Sequence, residues 1–306
     1  MPAFQGRRYS LQQLMAATQN FSPSAIIGEG SFAKVFRGKL DGLQVAVKKP
    51  RCRLDAEQAR QFQVELSVLS AIHHPHIIPL IGSCPEEALL VYQLADRGSL
   101  QSHLFPPAAP PGPDPQPQDS GLSWQRCLQV AHHAALGLHA LHSAQPEAIL
   151  HRDIKPSNIL LNAHWVAMLG DVGLAKIMDM QPGGSSSWVM GQGSRAAGTV
   201  SYWAPEVLSN QISAAGDIYA LGMVMLQMLT GSEVAGPLLR EVVAQAASQQ
   251  PGGAQPQAWH QRWAEAPQAA AHLALLALKC TDSQPRSRPA ALALAETLQQ
   301  MAEAEA

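Results

Sequence analysis

The sequence predicts an α+β fold of two unequal lobes, a small β-rich N-terminal lobe with one main helix and a larger α-helical C-terminal lobe. Three observations carry this. Short apolar runs with turn signals fill the first ninety residues, interrupted by one long amphipathic stretch. A proline-rich stretch follows. Beyond it, apolar residues recur at helical spacing almost to the end.

Residues 1–21 form a polar lead-in in which Leu11, Leu14, Met15 and Thr18 recur at i, i+3, i+4 and i+7, the stripe of a short helix. Strands are expected at Ile26-Ile27, Val35-Phe36 and Val45–Val47, with Asp41-Gly42 as the hairpin turn between the last two. A helix is expected from about 56 to 72, with Phe62, Leu66 and Leu69 on one face. Two more strands fit 77–81 and 88–92, and a third fits 165–169. Residues 105–121 are so rich in proline that helix and sheet interior are excluded, which predicts an exposed, extended insert without a catalytic role. Trp124, Cys127, Leu128, Ala131, Ala135, Leu138 and Leu141 then mark a strong helix, and later helices fit 217–229, 270–280 and 290–301. The stretch after Gly231 is short and rich in Ala and Gln, and no element is predicted there.

Composition narrows the partners. The 306 residues carry a formal net charge of −2, which gives no electrostatic footing for nucleic acid. No apolar run reaches the ~18 residues of a membrane span, and Pro2 excludes N-myristoylation. The four cysteines form no C-x-x-C pair, and the twelve histidines have no partner pair at zinc-finger spacing, so free thiols in a reducing compartment and no zinc are expected.

The chemistry lies in spaced motifs. Gly28-x-Gly30 sits between two strands rather than between a strand and a helix, which argues against a dinucleotide fold and a Walker loop. Lys48 ends the strand Val45-Ala46-Val47, where a cation can meet phosphate oxygens, and Glu65 on the next helix can hold it as an ion pair. His151-Arg152-Asp153-Ile154-Lys155-Pro156-Ser157-Asn158 matches H-R-D-x-x-x-x-N. In that run Asp153 can take or orient the proton of an attacking hydroxyl, Lys155 can neutralise a phosphoryl group, and Asn158 can hold a cation. Asp171-Val172-Gly173 follows, with Asp171 as a second cation ligand. Gly198-Thr199 and Ala204-Pro205-Glu206 close a segment of about thirty residues after Asp171.

With these motifs in hand, residues 22–302 resemble eukaryotic protein kinases, and more narrowly the plant receptor-like kinases and their animal relatives, the Pelle and interleukin-1-receptor-associated kinases. Tyr9-Ser10-Leu11 through Ala16-Ala17-Thr18-Gln19-Asn20-Phe21-Ser22 is similar to their juxtamembrane segment, and Leu90-Val91-Tyr92, Gly98-Ser99-Leu100 and Cys280-Thr281 also fit. The resemblance implies an N-lobe over 22–92, a hinge over 93–98 and a C-lobe over 99–302. It implies ATP with Mg²⁺ or Mn²⁺ as cofactors and Ser/Thr proteins as substrates. It also implies a membrane receptor complex as a partner, and hence a cytoplasmic location at the inner face of the plasma membrane. Tyr92 falls at the gatekeeper position; the backbone of Gln93 and Ala95 would meet adenine, Ser99 the ribose, and Ala46 and Leu160 the faces of the ring, with Val35 beside Gly28 and Gly30 over the nucleotide. Leu69, Leu80, His151 and Val172 would stack as a spine anchored by Asp217, and Glu206 would pair with Arg288. Lys155 and Thr199 match the serine/threonine group. Arg152 would be an uncompensated cation beside the site, to be paired by a phosphate on Ser194.

Three positions depart from the family pattern. Val172 replaces the usual Phe and is expected to leave a gap worth about 2–4 kcal/mol unless neighbours fill it. Ala33 replaces a loop glycine, and Gln93 stands in the hinge. Val172 makes a scaffold with weak activity, a pseudokinase, the alternative to an active enzyme, although Lys48, Glu65, Asp153, Asn158 and Asp171 are all present.

Overall fold

The computed structural model describes residues 6–30, 33–106, 121–179, 187–189, 198–248 and 258–304. The first part of the chain runs β1 (Arg7–Arg8), α1 (Leu11–Ala17), β2 (Ile26–Glu29), β3 (Ala33–Leu40), β4 (Leu43–Pro50), α2 (Ala56–Ala71), β5 (Leu80–Cys84) and β6 (Leu89–Gln93). These strands form one six-stranded sheet in the order β1-β5-β6-β4-β3-β2. All pairs are antiparallel except β1 with β5.

Alternation along the strands assigns the two faces of this sheet. Val45, Val47, Leu89 and Val91 point one way and pack with Tyr9 and Leu14 of the lead-in. Ala46, Leu90 and Tyr92 point the other way and join the main core beside Phe62, Val68 and Leu69 of α2. The lead-in is thus a folded layer. Ser10 and Gln13 build a capping box at the start of α1, Leu14 is fully buried, and Arg7-Arg8 adds a short edge strand. Gly82 permits that edge, because a Cβ there would collide with the Arg7 carbonyl oxygen and the Tyr9 ring. Asp55 and Gln58 cap α2 in the same reciprocal manner.

The second part runs β7 (Gly98–Ser99), α3 (Leu100–Leu104), α4 (Trp124–His142), β8 (Glu147–Leu150), β9 (Ile159–Leu161), β10 (Ala167–Leu169), β11 (Lys176–Asp179), β12 (Ser187–Val189), β13 (Gln211–Ser213), α5 (Ala214–Thr230), α6 (Pro237–Ser248), α7 (Pro267–Cys280) and α8 (Ala291–Ala304). Helix α5 is buried along nearly its whole length, with α4, α6 and α7 packed around it and α8 packed on α4. Short strands form a three-stranded sheet in the order β10-β9-β7 and a separate pair β11-β8.

Several expectations are adjusted. The strand expected at 77–81 starts at Leu80, because Pro79 has no N–H to give a ladder. The strand expected at 165–169 starts at Ala167, since Trp165 has a left-handed backbone (φ 61°) in the turn before it. Helix α6 occupies the stretch where none was predicted and buries Leu239, Val243 and Ala246. Residues 107–120 of the insert lie outside the described residues, as does Ser194. The histidines pack locally. The His76 and His133 rings stack with centroids 4.2 Å apart, and both rings bond the backbone of Ala167, one at the carbonyl and one at the N–H. Burial pushes His133 down to about 4.

The helical part is clamped by one buried ion pair. Arg288 has no exposed side-chain surface and meets Glu206 through two bonds of 2.6 and 2.8 Å. It also donates to the carbonyls of Ala215 and Asp282, and it stacks on Tyr219. Removing one partner strands the other charge, so Glu206→Ala is expected to lower stability by about 3–5 kcal/mol in urea unfolding followed by circular dichroism.

Candidate active site

Two clusters of polar side chains face each other where the sheet meets the helical part. The first is built around Lys48. Its Nζ donates to Glu65 Oε2 and to Asp171 Oδ1, each at 2.8 Å. Strand β4 supplies the cation, α2 one carboxylate, and the turn after β10 the other. Burial works against the ammonium charge, but Asp171 and then Glu65 outweigh it and hold the lysine above its ordinary range. Lys48 in turn draws Asp171 below the usual carboxylate range. Asp171 takes a left-handed backbone (φ 59°, ψ 58°), and the buried Val172 and Gly173 continue into a tight turn. Gly173 lies so close to α2 that a Cβ would stand 3.3 Å from Glu65 Oε2.

Tyr92 completes this cluster. Its hydroxyl donates to Glu65 Oε1 at 2.7 Å, so both carboxylate oxygens of Glu65 are fixed, one by Lys48 and one by the phenol. Burial and the adjacent carboxylate push the Tyr92 hydroxyl well above its ordinary range, which keeps it a donor. Sequence spacing does not reveal this bond, because the two residues are 27 positions apart on different elements.

The second cluster is built around Asp153, which is 6% exposed. Lys155 Nζ donates to Asp153 Oδ2 at 2.7 Å and to Thr199 Oγ1 at 2.8 Å. Thr199 gives Asp153 Oδ1 both its N–H (3.0 Å) and its hydroxyl (2.9 Å). Asn158 Nδ2 donates to Asp153 O and Oδ2 at 2.8 and 2.9 Å, which leaves the amide oxygen of Asn158 as an acceptor. The two clusters are joined through the backbone, where Gly170 N–H donates to Asn158 O one residue before Asp171.

Asp217 on α5 sets the backbone that carries Asp153. Its carboxylate accepts the N–H of His151 (2.9 Å), the N–H of Arg152 (2.8 Å) and His142 Nε2 (2.8 Å). Burial raises its pKa and these donors more than offset that, leaving it below the ordinary range. His142 is a contributor that the sequence reading missed. It ends α4, and only the fold brings it to Asp217. His151 is fully buried and bonds Gly170 O. Val172 and Leu69 lie in the main core, with Leu80 packed against it.

The remaining predicted residues fall around these clusters. Gly28 pairs with Val35, and Val35 with Lys48, on adjacent strands. Ala46 pairs with Tyr92, and Ser99 with Leu160. Leu160 lies against Gly170. Gly30 accepts a bond from Arg51 Nε at 2.9 Å. In the connecting segment Gln93 N–H donates to Pro79 O, and Ala95 O accepts the N–H of Gly98. Arg152 corrects an expectation. It has a left-handed backbone (φ 70°), and its Nη1 donates to Leu174 O at 3.2 Å, so it is a partnered side chain and not an uncompensated cation. Ser194, its expected phosphate-bearing partner, lies outside the described residues.

The protein kinase domain family matches residues 21–300, and the chain belongs to that family. The U-box domain-containing protein 34 of Arabidopsis thaliana is 40% identical over 233 residues, which cover 75% of this chain and 27% of the relative. The serine/threonine-protein kinase PBS1 of the same plant is 37% identical over 227 residues, covering 73% and 47%. A probable receptor-like protein kinase, also from that plant, is 37% identical over 239 residues, covering 76% and 27%. The chain therefore spans between about a quarter and about a half of the length of these relatives. The pseudokinase alternative is not supported.

Tyr92→Phe keeps the ring and removes the donor to Glu65. A buried bond to a charged group is worth about 1.5–3 kcal/mol, and a loss of that size is expected in chemical denaturation, with the fold retained in the far-ultraviolet spectrum.

Proposed function

We propose that the chain is a serine/threonine protein kinase that moves the γ-phosphoryl of ATP onto protein hydroxyls. The observation that carries this is the pairing of the Lys48–Glu65–Asp171 cluster with the Asp153–Lys155–Asn158–Thr199 cluster across one backbone link. Phosphoryl transfer leaves little covalent work to the protein, so fixed charges and donors supply most of the catalysis.

In this reading Lys48 holds the α- and β-phosphates, and Glu65 with Tyr92 keeps it in place. Gly28, Gly30, Val35, Ala46 and Leu160 enclose the nucleotide, with the backbone of Gln93 and Ala95 at the adenine edge and Ser99 near the ribose. Asp171 and the amide oxygen of Asn158 are hard oxygen ligands that suit Mg²⁺ or Mn²⁺. A divalent ion bound there neutralises charge on the phosphate oxygens. Asp153 orients the Ser or Thr hydroxyl and accepts its proton as the oxygen bonds to the γ-phosphorus. The bond from that phosphorus to the bridging oxygen breaks, ADP leaves, and Lys155 offsets charge on the moving group. Thr199 steadies Asp153 and the acceptor segment.

We also keep 22–92, 93–98 and 99–302 as N-lobe, hinge and C-lobe. Among the described residues no helix is long and apolar enough to cross a membrane. A cytoplasmic site at the inner face of the plasma membrane, reached through a receptor complex, is supported by the similarity to a receptor-like kinase. A phosphate on Ser194 would regulate the segment before Thr199 by adding about −1.5 to −2 charges and three acceptor oxygens.

The test is transfer of radiolabel from γ-labelled ATP to a basic protein substrate, with phosphoamino-acid analysis. Label is expected on serine and threonine. Lys48→Met, Asp171→Asn and Asp153→Ala are each expected to lower kcat/KM by ~10²-fold or more. Wild-type turnover in these variants would overturn the assignment.

A further inference from the structure

The two carboxylates that hold Lys48 are joined a second time, by a backbone tether. Helix α2, which carries Glu65, leads into residues 72–78, and β10 leads through Gly170 to Asp171. These two segments bond each other. Leu169 N–H donates to His76 O at 2.9 Å, and Ile78 N–H donates to Leu169 O at 2.9 Å. Helix α4 closes on the same place, since a Cβ on Gly137 would stand 2.6 Å from His76 O. Glu65 and Asp171 are therefore linked once through Lys48 and once through this tether.

Histidines occupy the tether, and Ala167 bonds two of them. His76 Nδ1 donates to the Ala167 carbonyl at 3.0 Å, and the Ala167 N–H donates to His133 Nδ1 at 3.3 Å. His133 must therefore keep a lone pair on Nδ1. So must His74, whose Nδ1 accepts the N–H of His76 at 3.2 Å. The stacked His76 and His133 rings lie 4.2 Å apart with planes 17° from parallel. A proton on His133 or His74 removes an acceptor, and a second charge in the stack repels the first. The titratable side chains that act on the pair are His74 and His132, with His139 acting on His74. Each becomes a like charge when protonated. Helix α8, packed on α4, gives His132 the Ala295 carbonyl at 2.9 Å, and its Glu296 is exposed, as is His73. Burial holds both stacked rings below the ordinary range, His133 at about 4. An opened tether would return them to about 6.5, so it binds more protons than the closed one. The closed form is fully favoured above that ordinary value and loses ground as the pH falls toward 4.

We propose that His76 and His133 are positioning residues for the Lys48 cluster. They hold α2 and the Asp171 turn in register while both rings are uncharged, and acid loosens the site by opening the tether. This rests on the kinase reading above and adds a proton dependence to it.

The experiment uses the full chain in three forms: wild type, His76→Asn with His133→Asn, and His76→Ala with His133→Ala. An asparagine amide offers a donor or an acceptor near the place of Nδ1 and takes up no proton. Hydrogen exchange over 167–169 is measured at about pH 7.5 and about pH 5.5 and expressed as protection over the unfolded rate. Wild type is expected to lose protection about tenfold at the lower pH, the factor for one histidine that titrates near 6.5 only when the tether opens. The asparagine pair is expected to change less than about twofold. At the higher pH the alanine pair is expected to lose on the order of tenfold in kcat/KM, and the asparagine pair to restore most of it. Equal acid loss of protection in wild type and the asparagine pair overturns the proposal. So does an alanine pair that folds and keeps wild-type kcat/KM. Should the alanine pair fail to fold, the exchange comparison of the other two forms decides. Absence of Asp153-dependent labelling in every form overturns the kinase reading instead, and exchange still decides the tether.

Discussion

The site depends on one cation held between two carboxylates. From the sheet, Lys48 reaches both α2 and the turn at Asp171, and its two bonds are of equal length, 2.8 Å. Three separately folded pieces must therefore be in register for one ammonium to be satisfied. Strand β4 is set by its neighbours β3 and β6, and α2 by its cap and buried face. The turn is set by Gly170, Val172 and Gly173. If any one of these moves, a charge is left unpaired in a partly desolvated place, and that cost couples the sheet, the helix and the turn at Asp171.

The second cluster uses a different device. Asp153 is not paired with a single cation but is enclosed by donors from Lys155, Asn158 and Thr199. Its backbone is hung from Asp217, a carboxylate on the most buried helix, which accepts two successive N–H groups. Arg152 adopts a left-handed conformation between them, a strained geometry held by the surrounding bonds. Asp153 is thus positioned by packing around the buried Asp217.

The sequence made the chemistry legible where residues act at short, fixed spacing. The run from His151 to Asn158, and Lys48 at the end of an apolar strand, could be read directly. The strands around Val35-Phe36 and Val45–Val47 and the Asp41-Gly42 turn between them were also readable, as short apolar runs with a turn signal. Other features were hidden for physical reasons. The bond from Tyr92 to Glu65 and that from His142 to Asp217 link distant positions through side-chain reach, which no periodicity encodes. Helix α6 carries an apolar stripe on its inner side, but its Ala- and Gln-rich surroundings masked the pattern. The edge strand Arg7-Arg8 is too short and too charged to read as a strand, and it exists because Gly82 lets the lead-in approach. Arg152 and its carbonyl acceptor at Leu174 are 22 residues apart, so spacing does not show their bond.

The most direct measure of the account is a double-mutant cycle on Lys48 and Glu65. If Glu65 acts through Lys48, then once Lys48→Met has removed the ammonium, adding Glu65→Gln should lower kcat/KM little further. The coupling energy should then be at least about 1 kcal/mol, as for residues in one charge network. Losses that simply add would mean that the two side chains act independently, and would contradict the claim that this shared cation organises the site.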